Sequence, residues 1–283
     1  MDKHRQVKKI VTGHATVDGA GVRLVRVLGR NDVRDFDPFL MLDAFDSTNP
    51  SDYLKGFPWH PHRGIETITY LLSGRIEHGD SLGNSGLIGD GECQWMTAGS
   101  GIIHQEMPQE SKRLWGVQLW LNMPAAKKMA PPRYNGISQD QIPAVREDGA
   151  ALRVISGLYR GMPGATRGLY IQPDFWDVAL LPGVQWQTDT QEGGTAFVYV
   201  LEGSGQFGPE PGVTVTAKHA ALFGEGSTLR VTAGQEGLRL LLLRGQPLHE
   251  PIAWGGPIVM NTQDELKQAF KELEEGTFIK HRP

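Results

Sequence analysis

The sequence predicts an all-β protein with minor helix, of sandwich or barrel type. Short runs of strand-forming residues recur along it: VRLVRVLG, ETITYLLSG, GVQLWLNM, TAFVYVLEG and LRLLLLRG, each bounded by Gly, Asn, Asp or Pro turns. Glycine (36 residues) and proline (18) are frequent enough to punctuate such runs throughout. Helical periodicity is scarce, and one segment carries it well: TQDELKQAFKELEEG, from Thr262 to Gly276. There Thr262 is placed to cap, Glu265 completes a capping box, and Leu266, Phe270 and Leu273 share one face. Gly276 supplies the stop.

The chain has 283 residues, 39% hydrophobic and 21% charged, which is ordinary globular composition and room for two domains. A net charge of −4 with scattered Lys and Arg gives no footprint for direct nucleic-acid binding or for an anionic membrane. The single cysteine, Cys93, excludes an internal disulfide and a Cys-based zinc site. The opening MDKHRQVKKI lacks the apolar stretch of a secretory signal, and no run approaches the length of a membrane span. The expectation is a soluble, cytoplasmic protein.

PAAKKMAPPRYNGISQDQIPAV, rich in Pro, Lys and Gln, reads as a linker over 125–145. It divides the chain into a barrel over 1–124 and a second over 146–283 that includes the terminal helix. The halves look like repeats. At an offset of 129, TITYLLSG lies over AFVYVLEG, with Tyr70 on Tyr199, Leu72 on Leu201 and Gly74 on Gly203. The same offset sets His60 on Asp189, His62 on Gln191 and Glu66 on Thr195. One metal site per chain is therefore expected, in the N-terminal half.

The candidate site begins at FPWHPHRGIETITYLLSG (57–74). Residues i and i+2 of a strand point to one face, so His60 and His62 present two imidazoles side by side. In WMTAGSGIIHQEMP (95–108), His104 and Glu106 repeat that spacing. A barrel can bring the two pairs to one point. A lone HxH is equally a surface pair or a hydrogen-bonded core pair; two matched pairs favour a cation. Imidazoles with a carboxylate and no thiolate lean toward Fe(II), Mn or Ni, and four protein ligands leave positions open on a six-coordinate ion. Structural zinc, closed at four ligands, is the rival. Glu66, four residues beyond His62, competes with Glu106 as the carboxylate ligand, or serves as an outer hydrogen-bond acceptor; periodicity does not separate these. Trp59, Trp95, Trp115 and Trp120 are candidates for pocket walls, with core as the plainer reading of most. Arg63 alternates to the opposite face and reads as a surface or inter-strand charge.

The order of His60, His62, Glu66, Gly74 and then Gly101-Ile-Ile-His104 resembles the cupin superfamily. Gly99 and Pro108 stand where a cupin usually has Pro and Asn, and these departures resemble the pirin family. FPWHPHRGIETITYLLSG, HGDSLGNSG, QWMTAGSGIIHQEMP, VQLWLNMP and GPIVMNTQDELKQAF are all similar to pirin segments. The resemblance implies a bicupin of two β-barrel, jelly-roll-like domains with a C-terminal helix. It implies one divalent metal, usually Fe, in the first barrel, with Mn, Ni, Co, Cu or Zn as other candidates. By position the ligands would be His60, His62, His104 and Glu106.

Two functions follow from the resemblance. One is a quercetin 2,3-dioxygenase-like enzyme that opens the central ring of a flavonol with O2, with Glu106 as general base as well as ligand. The other is an iron-based redox-sensing partner of a regulatory protein, with HGDSLGNSG (78–86) as the reporting loop; a plain hairpin connection is the simpler reading of that stretch. A sugar isomerase is disfavoured, since no Lys/Arg cluster near the site suits a phosphate.

Overall fold

The structure is a computed structural model that describes residues 4–282. It is built almost wholly of strands, with the one long helix at Gln263–Glu274. The chain divides into two compact units, and each is discontinuous. One takes the N-terminal residues through His14, Asn31–Pro38 and Asp140–Pro247; the other takes Ala15–Arg30, Phe39–Gln139 and everything from Leu248 onward. The contiguous halves read from the sequence therefore trade their ends. The strand Val7–Thr12 pairs with His219–Phe223 of the later barrel, and the terminal helix belongs with the earlier one.

Among the described residues the earlier barrel has two large sheets, with a two-stranded one of Ala253–Gly255 and Ile258–Met260 beside them. The seven-stranded sheet runs in the order Arg133–Ile137, Cys93–Thr97, Ile65–Ser73, Leu114–Asn122, Phe39–Ser47, Val22–Leu28, His14–Asp18. The four-stranded sheet runs Phe57–His62, Ile102–Gln109, Arg75–Asp80, Ser85–Ile88. Val22, Leu24, Phe45 and Leu71 of the first sheet form one buried cluster with Ile76 and Ile88 of the second. Apolar burial of this kind is what holds two such faces together. The expected linker is not one: Arg133–Ile137 is an edge strand paired with Cys93–Thr97. Its Pro and Lys flank that strand and masked its short β pattern.

In the other unit a nine-stranded sheet closes on an apolar interior that includes Leu152, Val154, Trp176, Val198, Val231 and Leu240. The strands Thr195–Phe207 and Thr228–Gly245 pair along most of their length and form its spine. Asp189 and Gln191, set by the repeat offset over the two histidines, are exposed. The repeat shows in the backbone too: Gly74, just after Ile65–Ser73, and Gly203, within Thr195–Phe207, both take positive φ (108° and 72°).

The terminal helix is capped as its sequence indicates, with the Thr262 hydroxyl accepting from Glu265 N and the Glu265 carboxylate accepting from Thr262 N. Its buried face is Leu266 and Ala269 rather than Leu266 and Phe270; Phe270 is 38% exposed. The stripe is rotated because Ala269 meets Ala253, Ile258, Met260 and Phe278 of the same terminal segment. Arg63 corrects the sequence reading outright. It is only 2% exposed, ion-paired to Glu272 at 2.8 Å, and donates to the carbonyls of Ser100 and Phe278.

Gly64 follows Arg63 at φ +76°, and a Cβ there would lie 2.0 Å from the Val259 carbonyl oxygen. Gly64→Ala is expected to destabilise this unit by about 3 kcal/mol or more, read from chemical denaturation of the metal-free protein.

Candidate metal centre

The strand Phe57–His62 ends at the site because Gly64 turns the chain out of the four-stranded sheet and into Ile65–Ser73 of the other. In antiparallel register, His60 lies opposite His104, and His62 opposite Ile102. The Ile102–Gln109 strand alternates strictly, with Ile102, His104, Glu106 and Pro108 inward. The ligand-type atoms of His60, His62 and His104 all lie within 4.8 Å of one another. His62 and His104 are buried, at 3% and 1% exposure.

Hydrogen bonds settle the tautomers of the first pair. His60 Nδ1 lies 2.8 Å from the Pro58 carbonyl oxygen and His62 Nδ1 lies 3.0 Å from that of Pro257. A carbonyl only accepts, so each Nδ1 carries the proton and each Nε2 keeps its lone pair. Those two Nε2 atoms face each other at 3.0 Å. Two lone pairs at that distance repel unless a cation or a proton stands between them. Burial, and then the neighbouring His60, pushes the His62 pKa down to about 3. Burial likewise drives His104 well below its ordinary value, with His62, His60 and His78 adding to the effect. These two rings are therefore neutral at pH 7, the form a metal binds. His104 also buries both ring nitrogens without a hydrogen-bond partner. Orphaned buried nitrogens facing fixed lone pairs fit a divalent metal, and the all-nitrogen donor set suits Fe, Ni, Cu or Zn.

The two acidic candidates are placed differently. Glu106 is buried on the same strand face as His104, but its carboxylate accepts from Thr69 Oγ1 at 3.0 Å and Gln118 Nε2 at 2.7 Å. It lies outside the group of three. Glu66 belongs to the other sheet, where it accepts from Thr97 Oγ1 at 2.8 Å and Trp95 Nε1 at 3.2 Å. The chain reversal at Gly64 breaks the i+4 relation to His62, which holds only along a continuous strand.

A cavity of about 620 Å³ opens beside His60 and His62. Trp59, Trp120 and Trp254 line it, with Met41, Phe57, Gln118 and a polar edge of Arg26, Arg30, Asp18 and Asp43. Trp120 meets the His62 ring edge-on at 5.0 Å and Trp254 at 5.9 Å. Arg26 is fixed on Asp43 by two hydrogen bonds of 2.9 and 2.8 Å. Trp59 and Trp120 are thus wall residues, whereas Trp95 and Trp115 are buried in the seven-stranded sheet away from this wall.

Several contributors escaped the sequence reading. Pro257 acts through a backbone carbonyl, which leaves no mark in a sequence, and Trp254 sits nearly two hundred residues from the histidines it joins. His78 had a signal: His78-Gly79-Asp80 is a third ionisable i, i+2 pair. Its ring lies 5.5 Å from that of His104 and stacks on Tyr134 at 4.7 Å, while Nδ1 accepts from Gln94 Nε2. The rest of HGDSLGNSG is a hairpin turn, organised by the Asp80 carboxylate, which accepts from Leu82 N, Asn84 N and Asn84 Nδ2.

The family model of pirin matches residues 21–121, and that of the pirin C-terminal cupin domain matches residues 175–279. The chain is 46% identical over 277 residues to the pirin-like protein of Caulobacter vibrioides, covering 97% of this chain and 99% of that protein. It is 42% identical over 282 residues to a Pseudomonas aeruginosa protein whose name, given provisionally, is quercetin 2,3-dioxygenase, covering 98% and 99%. A crystal structure of quercetin 2,3-dioxygenase from Acinetobacter baumannii superposes with a TM-score of 0.88 at 33% identity, covering 97% of this chain and 98% of that one.

Burial raises the Glu66 pKa to about 7 against the pull of Thr97 and Trp95. The unfolded carboxyl ionises near 4.5, so between these values the folded state holds the extra proton. The stability this proton confers is complete below about 4.5 and lost by about 7. Relative to Glu66→Gln, the wild type is expected to lose on the order of 3 kcal/mol across that window, measured by denaturation midpoints at stepped pH.

Proposed function

The chain belongs to the pirin family, and on that premise we propose that it is a metal-dependent dioxygenase opening the central ring of flavonols such as quercetin with O2. The observation that carries this reading is the aromatic-walled cavity opening onto His60 and His62. Its size and aromatic walls suit a planar polyphenol. The likeness to the Acinetobacter enzyme supports the same substrate class.

In this reading His60, His62 and His104 hold one divalent metal, proposed as Fe(II), with Glu106 as the fourth ligand. When bound, the metal supplies Lewis acidity toward the substrate hydroxyl and a redox centre for O2. The remaining work belongs to the side chains. Trp120 and Trp254 flank the flavonol rings and keep water from the reacting face. The fixed Arg26–Asp43 pair offers polar contacts to ring hydroxyls at the cavity edge. Glu106 receives the proton of the 3-hydroxyl at its carboxylate, leaving the substrate as the electron-rich anion. Gln118 and Thr69 hold that carboxylate in place, so the base is ordered before substrate arrives. O2 then adds to the anion, the central ring opens, and CO leaves.

The test is aerobic quercetin consumption by protein loaded with Fe(II) or Ni(II). His104→Ala is expected to lose both metal and turnover. Glu106→Gln is expected to retain metal on the three histidines while kcat/KM falls about 10²- to 10⁴-fold. Metal-loaded wild type that consumes no member of a flavonol panel would refute the assignment.

A further inference from the structure

The terminal segment does more than cover the barrel. Pro257 O accepts from His62 Nδ1 at 3.0 Å. Two residues on, Val259 N donates to the Arg63 carbonyl at 3.1 Å. The buried Lys128 ammonium donates to Gly64 O at 2.8 Å and Val259 O at 2.9 Å, bridging the same two stretches. Arg63 itself is gripped from the far end of the segment: Nη1 pairs with Glu272 at 2.8 Å, Nη2 donates to Phe278 O at 2.9 Å, and the guanidinium lies 4.2 Å over the Phe278 ring. Burial opposes the charge on Glu272, yet contacts from Lys280 and Arg63 hold its pKa at about 2, so the ion pair persists through the neutral range.

We propose that Arg63 and Glu272 are positioning residues for the metal centre, a clamp that sets the His62 imidazole through the Pro257 carbonyl. The inference rests on the three-histidine metal reading above. The physical chain is short. A buried guanidinium deprived of its carboxylate is left uncompensated, and its surroundings shift to solvate it. The shift is felt at the 62–64 turn and at the 257–259 stretch paired to it. The acceptor that fixes the His62 tautomer and ring angle lies on that stretch. Outer partners of a ligand imidazole tune its affinity for metal. The coupling is reciprocal, so metal on His62 must in turn secure the terminal segment.

The experiment titrates metal-free protein with Zn(II) in competition with a chromophoric chelator, alongside the thermal midpoint of the metal-free form. Glu272→Ala is expected to weaken Zn(II) binding about 10- to 100-fold, and Glu272→Gln, which keeps an acceptor, by less. Glu274→Ala, which removes an exposed charge from the same helix, is expected to leave affinity within about twofold of wild type, because it does not touch Arg63. A merely structural role would lower the midpoint and leave affinity unchanged. Should Glu272→Ala fail to fold, hydrogen exchange in the wild type reads the same coupling: Zn(II) is expected to slow exchange of the Val259 amide. Unchanged affinity in a folded Glu272→Ala, or unchanged Val259 exchange on Zn(II) loading, overturns the clamp and spares the metal centre. Wild type that binds no Zn(II) removes the metal reading and the clamp together.

Discussion

Two imidazole lone pairs held 3.0 Å apart are the constraint on which the earlier barrel turns. The carbonyls of Pro58 and Pro257 each claim an Nδ1 proton, so neither ring can relieve the contact by changing tautomer. Protonation of His62 is opposed by burial, which drives its pKa down to about 3. A cation placed between the two Nε2 atoms would remove that repulsion. The same desolvation that makes His62 and His104 poor bases keeps their lone pairs available at neutral pH.

That arrangement needs support from a part of the chain remote in sequence. The turn after His62 carries a buried arginine and a glycine at positive φ packed against the Val259 carbonyl. A guanidinium buried there needs partners that a solvent-facing one would not. Both residues are satisfied by the segment from Pro257 to Phe278, and Trp254, three residues before it, stands in the cavity wall. Cavity wall and His62 orientation thus come from one stretch of backbone. The exchange of ends has a counterpart at the N-terminus, where Val7–Thr12 completes the pairing of His219–Phe223.

The polar interior is sorted by sheet. His60, His62, His104, Glu106 and His78 all stand on the four-stranded sheet, whereas Glu66 and Gln94 stand on the seven-stranded one. Glu66 is matched with Trp95 and Thr97 at a cost, since its carboxyl is raised to about 7 by burial. Glu106 is matched with Thr69 and Gln118. Both carboxylates are buried, and their placement on different sheets gives them different partners.

Local sequence set the strand content, the capped terminal helix and the i, i+2 spacing of the two candidate pairs. Each depends on local chemistry: β-branched runs between turn residues, a Thr-x-x-Glu cap, and the period-two alternation that sets i and i+2 on one face. Family resemblance ranked Glu106 above Glu66, which periodicity alone left open. Tertiary structure decided what depends on distant partners. It turned Arg63 inward because Glu272 and Phe278 arrive to receive it. It removed Glu66 from the histidines because a glycine two residues after His62 sends the chain to another sheet. It made a strand of Arg133–Ile137 because Cys93–Thr97 offers an edge. It gave His62 its tautomer through a proline carbonyl, a group every residue possesses and no sequence pattern can flag.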